Sequence, residues 1–280
     1  MIVLCMAGIV LTSCTGYNKV LKTGDYDYMY EAAKKEYLSG HYNSSAILLQ
    51  EVIAVLKGTE RGEESLFLLG MSNYHGRDYT NAATVLRKFY QSYPKSVYAE
   101  EARFYCGKAL YKNVPHPKLD QTDTYEAVTE LQGFIEMYPG SFRSVEARDL
   151  IFKLQDNLVE KEYLSAKLYY DLGAYFGNCN FGGSNYQACI ITAENALRDY
   201  PYTSLREDFS FLILKAKFDL ADESVIDRKE ERMRSAVDEY YSFVNEYPES
   251  KHAKEVKGRF DKARKALGMT AEEDVAAAED

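Results

Sequence analysis

Apolar and polar positions alternate along this chain with the period of amphipathic helices. Between Tyr28 and Leu267 the apolar residues recur every three or four positions, which is the spacing of one helix face. No stretch shows the alternating β-branched pattern of a strand. The pattern therefore predicts about a dozen helices and an all-α fold.

A Tyr-Pro pair ends four of the predicted helices, and a Ser or Thr follows two places after each proline. The pairs are Tyr93-Pro94, Tyr138-Pro139, Tyr200-Pro201 and Tyr247-Pro248. Proline stops a helix because its ring clashes with the preceding turn and it has no N–H to donate. Since serine hydroxyls accept from the free N–H groups that begin a helix, Ser96 and Ser141 are predicted N-caps.

The recurring joints predict an array of helix pairs. Counting from Glu63 as position 1, Gly70 falls at position 8, Ala82 at position 20 and Pro94 at position 32, which is the pattern of a tetratricopeptide repeat. Small residues suit positions where two helix backbones approach closely. We therefore expect a tetratricopeptide-repeat solenoid of about five helix-turn-helix units.

The N-terminal segment has the features of a lipoprotein signal peptide. Residues 1–13, MIVLCMAGIVLTS, are almost wholly apolar but too short to span a bilayer, and Leu11-Thr12-Ser13-Cys14 resembles the lipobox of bacterial lipoproteins. This predicts a diacylglycerol and an N-acyl chain on Cys14, which anchor the protein to a membrane. The alternative is a buried N-terminal strand with an incidental cysteine. No Lys or Arg precedes the apolar run, which departs from the usual signal-peptide pattern.

Composition and the joints divide the rest of the chain into four parts. The predicted parts are a tether (14–27), N-terminal repeats (28–157), C-terminal repeats (158–268) and an acidic tail (269–280). The tail sequence AEEDVAAAED has five acidic residues and no aromatic one, which is typical of a solvated, disordered end.

Residues that would carry catalysis or bind a metal are missing from the pattern. The histidines His41, His75, His116 and His252 are scattered, so no metal site is predicted. The loop GNCNFGGS (177–184) lacks the Gly-Lys-Ser/Thr of a phosphate loop. A net charge of −9 disfavours nucleic-acid binding. We therefore expect a non-enzymatic protein without a cofactor.

Three cysteines follow Cys14. Cys106 and Cys189 lie in apolar helical patterns, where a small buried thiol is the expected state. A disulfide between Cys179 and Cys189 is the alternative.

Two stretches resemble the BamD family, the lipoproteins of the outer-membrane β-barrel assembly machine. They are LVEKEYLSAKLYYDLG (158–173) and ALRDYPYTSLRED (196–208), and the longer loop between them resembles the Bacteroides-type branch. The resemblance implies a periplasm-facing adaptor, lipid-anchored in the outer membrane, that docks on BamA and other machine subunits and receives unfolded barrel proteins. It also implies that BamA docks mainly on the C-terminal repeats. No acidic cluster follows Cys14, which favours the inner leaflet.

A substrate groove is expected on the first helices of the N-terminal repeats, where positions 2, 5, 9 and 12 line the inner face of tetratricopeptide arrays. Its candidate residues are Tyr28, Lys35, Phe67, Met71, Tyr74, Phe104, Lys108 and Tyr111. Rings would hold the aromatic residues of a barrel strand, and Lys35 or Lys108 its terminal carboxylate. The alternative is that Phe67 and Phe104 are helix-packing residues and the chain itself fills the groove.

Two other functions remain open. A coordinator of envelope constriction usually carries a coiled coil ahead of its repeats, and no sustained heptad precedes Tyr28. A glycan-binding lipoprotein usually stacks sugars on Trp, whereas this chain has 25 Tyr and no Trp.

Overall fold

A computed structural model describes residue 20, residues 24–173, residue 175 and residues 184–269. The described residues form eleven α-helices and no β-strand, so the predicted all-α fold is confirmed. The signal segment with Cys14, most of the tether, most of the 177–184 loop with Cys179, and residues 270–280 of the acidic tail lie outside the described residues.

The helices follow one another with short connections. They are α1 (Tyr26–Leu38), α2 (Tyr42–Val52), α3 (Glu60–His75), α4 (Tyr79–Ser92), α5 (Ala99–Lys112), α6 (Thr122–Met137), α7 (Ser144–Leu172), α8 (Asn185–Asp199), α9 (Arg206–Asp222), α10 (Ile226–Glu246) and α11 (Ala253–Leu267). The chain divides into two compact units, of which unit 1 ends at Leu154 and unit 2 begins at Gln155. The division falls within α7.

Successive helices pack against each other inside each unit. In unit 1 each helix from α1 to α5 packs on the next one, and α3 also packs on α1 and on α5. In unit 2 each helix from α8 to α10 packs on the next one, and α9 also packs on α11. Contacts between neighbours and between alternate helices are those of stacked helix pairs, which confirms the tetratricopeptide-type packing predicted from the sequence.

All four Tyr-Pro pairs stop a helix as predicted. Helices α4, α6, α8 and α10 each end one residue before the tyrosine. The tyrosine N–H still donates to the carbonyl four residues back, at 2.8 Å from Tyr93 to Phe89 and from Tyr247 to Phe243. Because the helical region is disfavoured for a residue before proline, the chain leaves the helix at this tyrosine.

The N-cap prediction for the joint serines was wrong. Helix α5 begins at Ala99, and its N-cap position, Tyr98, makes no side-chain capping bond. Ser96 Oγ instead accepts from the Tyr98 N–H at 3.2 Å, and Ser141 Oγ accepts from the Arg143 N–H at 3.1 Å. Such bonds close a Ser/Thr turn, so each serine shapes the turn that precedes the helix.

Small residues let the two helices of a pair approach closely. A Cβ atom on Gly70 would lie 2.5 Å from Leu86 Cδ2, and one on Gly107 would lie 2.7 Å from Leu131 Cδ2. Both leucines are fully buried, so they cannot move aside. The close approach predicted at Gly70 is therefore confirmed, and the same contact recurs in the next pair.

We expect Gly107→Ala to lower the free energy of unfolding by about 1 kcal/mol, because overpacking in a filled core costs about 1–3 kcal/mol and outweighs the helix-propensity gain of up to about 1 kcal/mol. Urea unfolding followed by circular dichroism measures the change. The matched control is Gly258→Ala in α11, where no atom of the described residues lies within 4 Å of the added Cβ and we expect stabilisation. A Gly107→Ala protein as stable as its parent would contradict the close-approach explanation.

Candidate functional site

Three of the predicted groove residues belong to the core of unit 1. Phe67, Met71 and Phe104 are buried. The Phe67 ring stacks on Tyr98 with centroids 4.6 Å apart, and the Phe104 ring lies 5.4 Å from that of Phe134. These side chains fill the space between packed helices, so assigning them to an open groove was wrong and the helix-packing alternative holds for them.

The other five predicted groove residues reach the surface. Tyr28 and Lys35 on α1 are exposed, whereas Tyr74, Lys108 and Tyr111 are half-buried. Lys108 Nζ lies 2.6 Å from Glu146 Oε1, so a substrate carboxylate would have to displace Glu146. Their role in binding stays a prediction.

Tyr74 lies at the centre of a strip of partly exposed aromatic rings. Its ring centroid is 4.8 Å from that of Tyr105 on α5, 5.7 Å from that of Tyr79 on α4 and 5.5 Å from that of His75. All three contacts are edge-to-face, which is a favourable arrangement for aromatic pairs.

The strip continues from His75 to the first helix pair. The His75 ring stacks on Tyr42 with centroids 4.9 Å apart, and Tyr42 lies 5.6 Å from Tyr37 of α1. We call this set the tyrosine strip; its members are Tyr37, Tyr42, Tyr74, Tyr79, Tyr105 and His75. It crosses three successive helix pairs of unit 1.

Of the tyrosine strip, sequence reasoning found only Tyr74. The inner-face positions of a tetratricopeptide array lie on first helices alone, whereas Tyr42 and Tyr79 begin the second helices of their pairs. A signal was present in the chain, because a tyrosine follows soon after the turn glycine in both Gly40-His41-Tyr42 and Gly76-Arg77-Asp78-Tyr79.

The tyrosine strip carries no net charge at neutral pH. Burial raises the pKa of Tyr37 and of Tyr74 to about 12, so both phenols keep their protons. Burial also lowers the pKa of His75, so its ring is neutral. At the α5 end, Lys108 Nζ lies 5.6 Å from the Tyr105 ring centroid, beside Glu146. The strip therefore offers ring faces and phenol hydroxyls, with one ion pair at its edge.

The buried carboxylate of unit 1 has a structural role. Glu130, 9% exposed, accepts from the Tyr90 hydroxyl at 2.8 Å and from Arg87 at 3.2 Å. Arg87 also pairs with Glu126 at 2.7 Å. Because a buried charge needs partners to offset its desolvation, these contacts tie α4 to α6.

The two described cysteines are buried free thiols, as predicted. Burial raises the pKa of Cys106 and of Cys189 to about 12, so neither is a thiolate at neutral pH. Cys179, the partner of Cys189 in the alternative disulfide, lies outside the described residues.

The described residues contain neither a metal site nor a membrane-spanning helix. Among the residues that the structure describes, no three His, Cys, Asp or Glu side chains come together as a metal ion would require. No helix in the described part of the chain combines the length and apolarity needed to cross a bilayer.

The family match and the similar proteins of known name agree with one another. Residues 23–180 match the YfiO family, described as outer membrane lipoproteins. The chain is 22% identical to outer membrane protein assembly factor BamD of Caulobacter vibrioides over 57% of this chain and 53% of that protein. It is 21% identical to the protein of the same name from Pasteurella multocida, over 62% of this chain and 71% of that one.

An Aquifex aeolicus protein that provisionally carries the same name is 25% identical, over 59% of this chain and 55% of its own length. The matched part of this chain therefore spans about half the length of the Aquifex and Caulobacter relatives.

Proposed function

Because the chain belongs to the YfiO family of outer membrane lipoproteins, we propose that it is a non-enzymatic adaptor in the assembly of outer-membrane β-barrel proteins. The family match over residues 23–180 carries this proposal, and the relatives named as outer membrane protein assembly factors support it. The adaptor faces the periplasm and is held on the outer membrane by lipid on Cys14.

The two units suit two binding tasks. Unit 1 receives unfolded barrel proteins, and unit 2 docks on the periplasmic domains of BamA and contacts other subunits of the assembly machine. Stacked helix pairs expose long surfaces of this kind.

The tyrosine strip is the proposed contact for substrate. Strands of barrel proteins carry girdles of aromatic residues, whose rings can pack edge-to-face on Tyr74 and Tyr105. The exposed Lys35 has no ion-pair partner among the described residues, so it can accept a carboxylate without first losing one. Lys108 can accept a substrate carboxylate only if its ion pair with Glu146 breaks.

Affinity purification of the tagged protein from detergent-solubilised envelopes tests the proposed function. We expect BamA and other assembly subunits to co-purify. Recovery of cell-division proteins without BamA would instead support an envelope-constriction coordinator. A specific signal on a glycan array, again without BamA, would support a glycan-binding lipoprotein. Either result would contradict the adaptor function.

We expect Cys14→Ala to move the protein from the membrane fraction to the soluble fraction, because acyl chains provide the proposed attachment. Cell fractionation followed by immunoblotting measures this distribution. The cells are depleted of BamA, so that binding to BamA cannot hold the variant at the membrane. Mass spectrometry of the parent protein should show the acyl chains on Cys14. If the Cys14→Ala protein still pelleted with outer membranes, the anchor assignment would be wrong.

A peptide that copies the last strand of a barrel protein and carries a photo-crosslinker should label unit 1. Tyr74→Ala should weaken binding about fivefold, because an aromatic pair contributes about 1 kcal/mol. Tyr74→Phe, which keeps the ring, should bind nearly as the parent does. Lys108→Glu should also reduce labelling.

The matched control is Tyr125→Ala on α6, since Tyr125 is exposed but lies outside the tyrosine strip. Circular dichroism confirms that each variant is folded. Labelling confined to residues beyond 200, or equal loss with Tyr74→Ala and Tyr125→Ala, would remove the strip from consideration.

A further inference from the structure

Three Tyr-Pro joints lie beside the start of an earlier first helix, and each of these helices carries two adjacent acidic residues near its start. The acidic pairs are Glu63-Glu64 on α3, Glu100-Glu101 on α5 and Glu207-Asp208 on α9. The first two pairs hold matching positions, because Glu63 and Glu100 each stand seven residues before a close-approach glycine. The three joints can therefore be compared residue by residue.

The α6–α7 joint is closed onto the acidic pair of α5. Ser141, two places after the proline, donates its hydroxyl to Glu100 Oε1 at 2.6 Å. Arg143, two places further, donates from Nη2 to Glu101 Oε1 at 3.0 Å. A hydroxyl thus meets the first carboxylate of the pair and a cation meets the second.

The α10–α11 joint is closed onto the acidic pair of α9 by the same kinds of group. The Ser250 hydroxyl donates to Glu207 Oε1 at 2.7 Å, and Lys251 Nζ lies 2.8 Å from Asp208 Oδ1. The contact of a joint hydroxyl and a joint cation with an acidic pair is therefore a repeated feature of this chain.

The α4–α5 joint lacks the cation. Val97 and Tyr98 stand one and two places after the joint serine, where the closed joints have Lys251 and Arg143. The Tyr98 ring stacks on Phe67, and Val97 is 87% exposed. Neither side chain can replace the missing charge.

The acidic pair of α3 is only half satisfied in consequence. Glu64 pairs with Lys34 of α1 at 2.8 Å. The carboxylate of Glu63 has no hydrogen-bond or ion-pair partner among the described residues, and neither has that of Glu60, one turn before it. Glu63 is half-buried, so its charge is less well hydrated than that of a fully exposed carboxylate.

The space beside Glu63 is an open groove of about 670 Å³. We call it the joint groove; its acidic wall has Glu60, Glu63 and Glu64, and its apolar wall has Pro94, Val97 and Tyr98. Lys95 also lines it, but this lysine is exposed and forms no ion pair in the described part of the chain.

The fourth joint, between α8 and α9, offers less room. Leu205 stands two places after Thr203, so this joint also lacks the cation. Its cavity is about 390 Å³, little more than half the volume of the joint groove. The joint groove is therefore the better place for a side chain from outside.

Arginine has the chemistry that matches both walls of the joint groove. Its planar guanidinium can donate two hydrogen bonds to one carboxylate, and its aliphatic stem packs on apolar surface. Arg143 shows both contacts within this chain, since its guanidinium lies 4.5 Å from the Phe142 ring centroid while Nη2 reaches Glu101. An arginine beside an aromatic residue is the arrangement that closes the α6–α7 joint.

We propose that the joint groove binds an arginine side chain of a partner polypeptide, presented next to an aromatic residue. The guanidinium donates to Glu63 and Glu60, and the stem lies on Pro94 and Val97. Tyr74 lies eleven residues beyond Glu63 on α3, about 16 Å along the helix, so this contact is separate from the tyrosine strip. The proposal does not rest on the adaptor function.

Two fluorescent peptides test the predicted ligand. One is acetyl-Gly-Phe-Arg-Phe-Gly, and the other has citrulline in place of arginine, which keeps the shape but removes the charge. Each is titrated with the full-length protein and its anisotropy is measured. We expect the arginine peptide to bind at least fivefold more tightly. Equal binding of the two peptides, or no binding of the arginine peptide, would overturn the proposal.

Glu63→Gln locates the site on the protein. This change should weaken binding of the arginine peptide at least fivefold, because it removes the carboxylate that lacks a partner. The matched control is Glu136→Gln on α6, the same change at an exposed residue outside the groove lining, which should alter binding less than twofold. Equal effects of the two changes would show non-specific attraction and overturn the proposal.

Val97→Lys supplies the missing cation from within the chain. Because Lys251 pairs with the acidic residue that matches Glu64, a lysine at position 97 should occupy the groove and weaken peptide binding at least fivefold. Val97→Gln, of similar length but uncharged, should change binding less than twofold. Val97 is largely exposed, so neither change disturbs the core, and circular dichroism checks this. Equal binding by the Val97→Lys and parent proteins would overturn the proposal.

Discussion

The close approach of the two helices in each pair is the constraint on which the described architecture of unit 1 depends. At Gly70 and Gly107 the backbone of a first helix comes so near a leucine of the second helix that no side chain fits between them. The fully buried Ala82 and Ala127 lie on the second helices. Small residues at these contacts let apolar side chains interdigitate around them. The positions of these residues therefore set the distance between the two helices of a pair.

The Tyr-Pro joints convert this local packing into a repeat. In three of the four joints a buried phenylalanine lies four residues before the tyrosine, and the two ring centroids are 5.5 Å apart for Phe89–Tyr93, 5.6 Å for Phe134–Tyr138 and 5.2 Å for Phe243–Tyr247. The proline prevents the helix from continuing while the ring contact holds the chain on the core. Each joint thus leads into the next first helix in a similar way.

The same kind of helix pair presents different chemistry in the two units. In unit 1 the turns between paired helices place Tyr79 beside Tyr74 and Tyr42 beside His75, which creates an aromatic surface. In unit 2 the cleft bordered by α9, α10 and α11 has Lys254 and Lys262 in its lining. Function in repeat proteins therefore depends on exposed side chains that the packing rules leave free to vary.

The sequence by itself determined the features that rest on local chemistry. Proline at the joints acts within one turn, while Gly70 and Cys106 stand in helical patterns that the sequence shows directly, so the chain pattern was enough to predict them. Tertiary structure decided what covers each face. Phe67 has the spacing of an inner-face residue, but the stacked Tyr98 ring helps to bury it. Lys108 meets Glu146, far along the chain, and the strip joins rings from three helix pairs. Periodicity defines which residues share a face, whereas only the packed fold determines which neighbours that face meets.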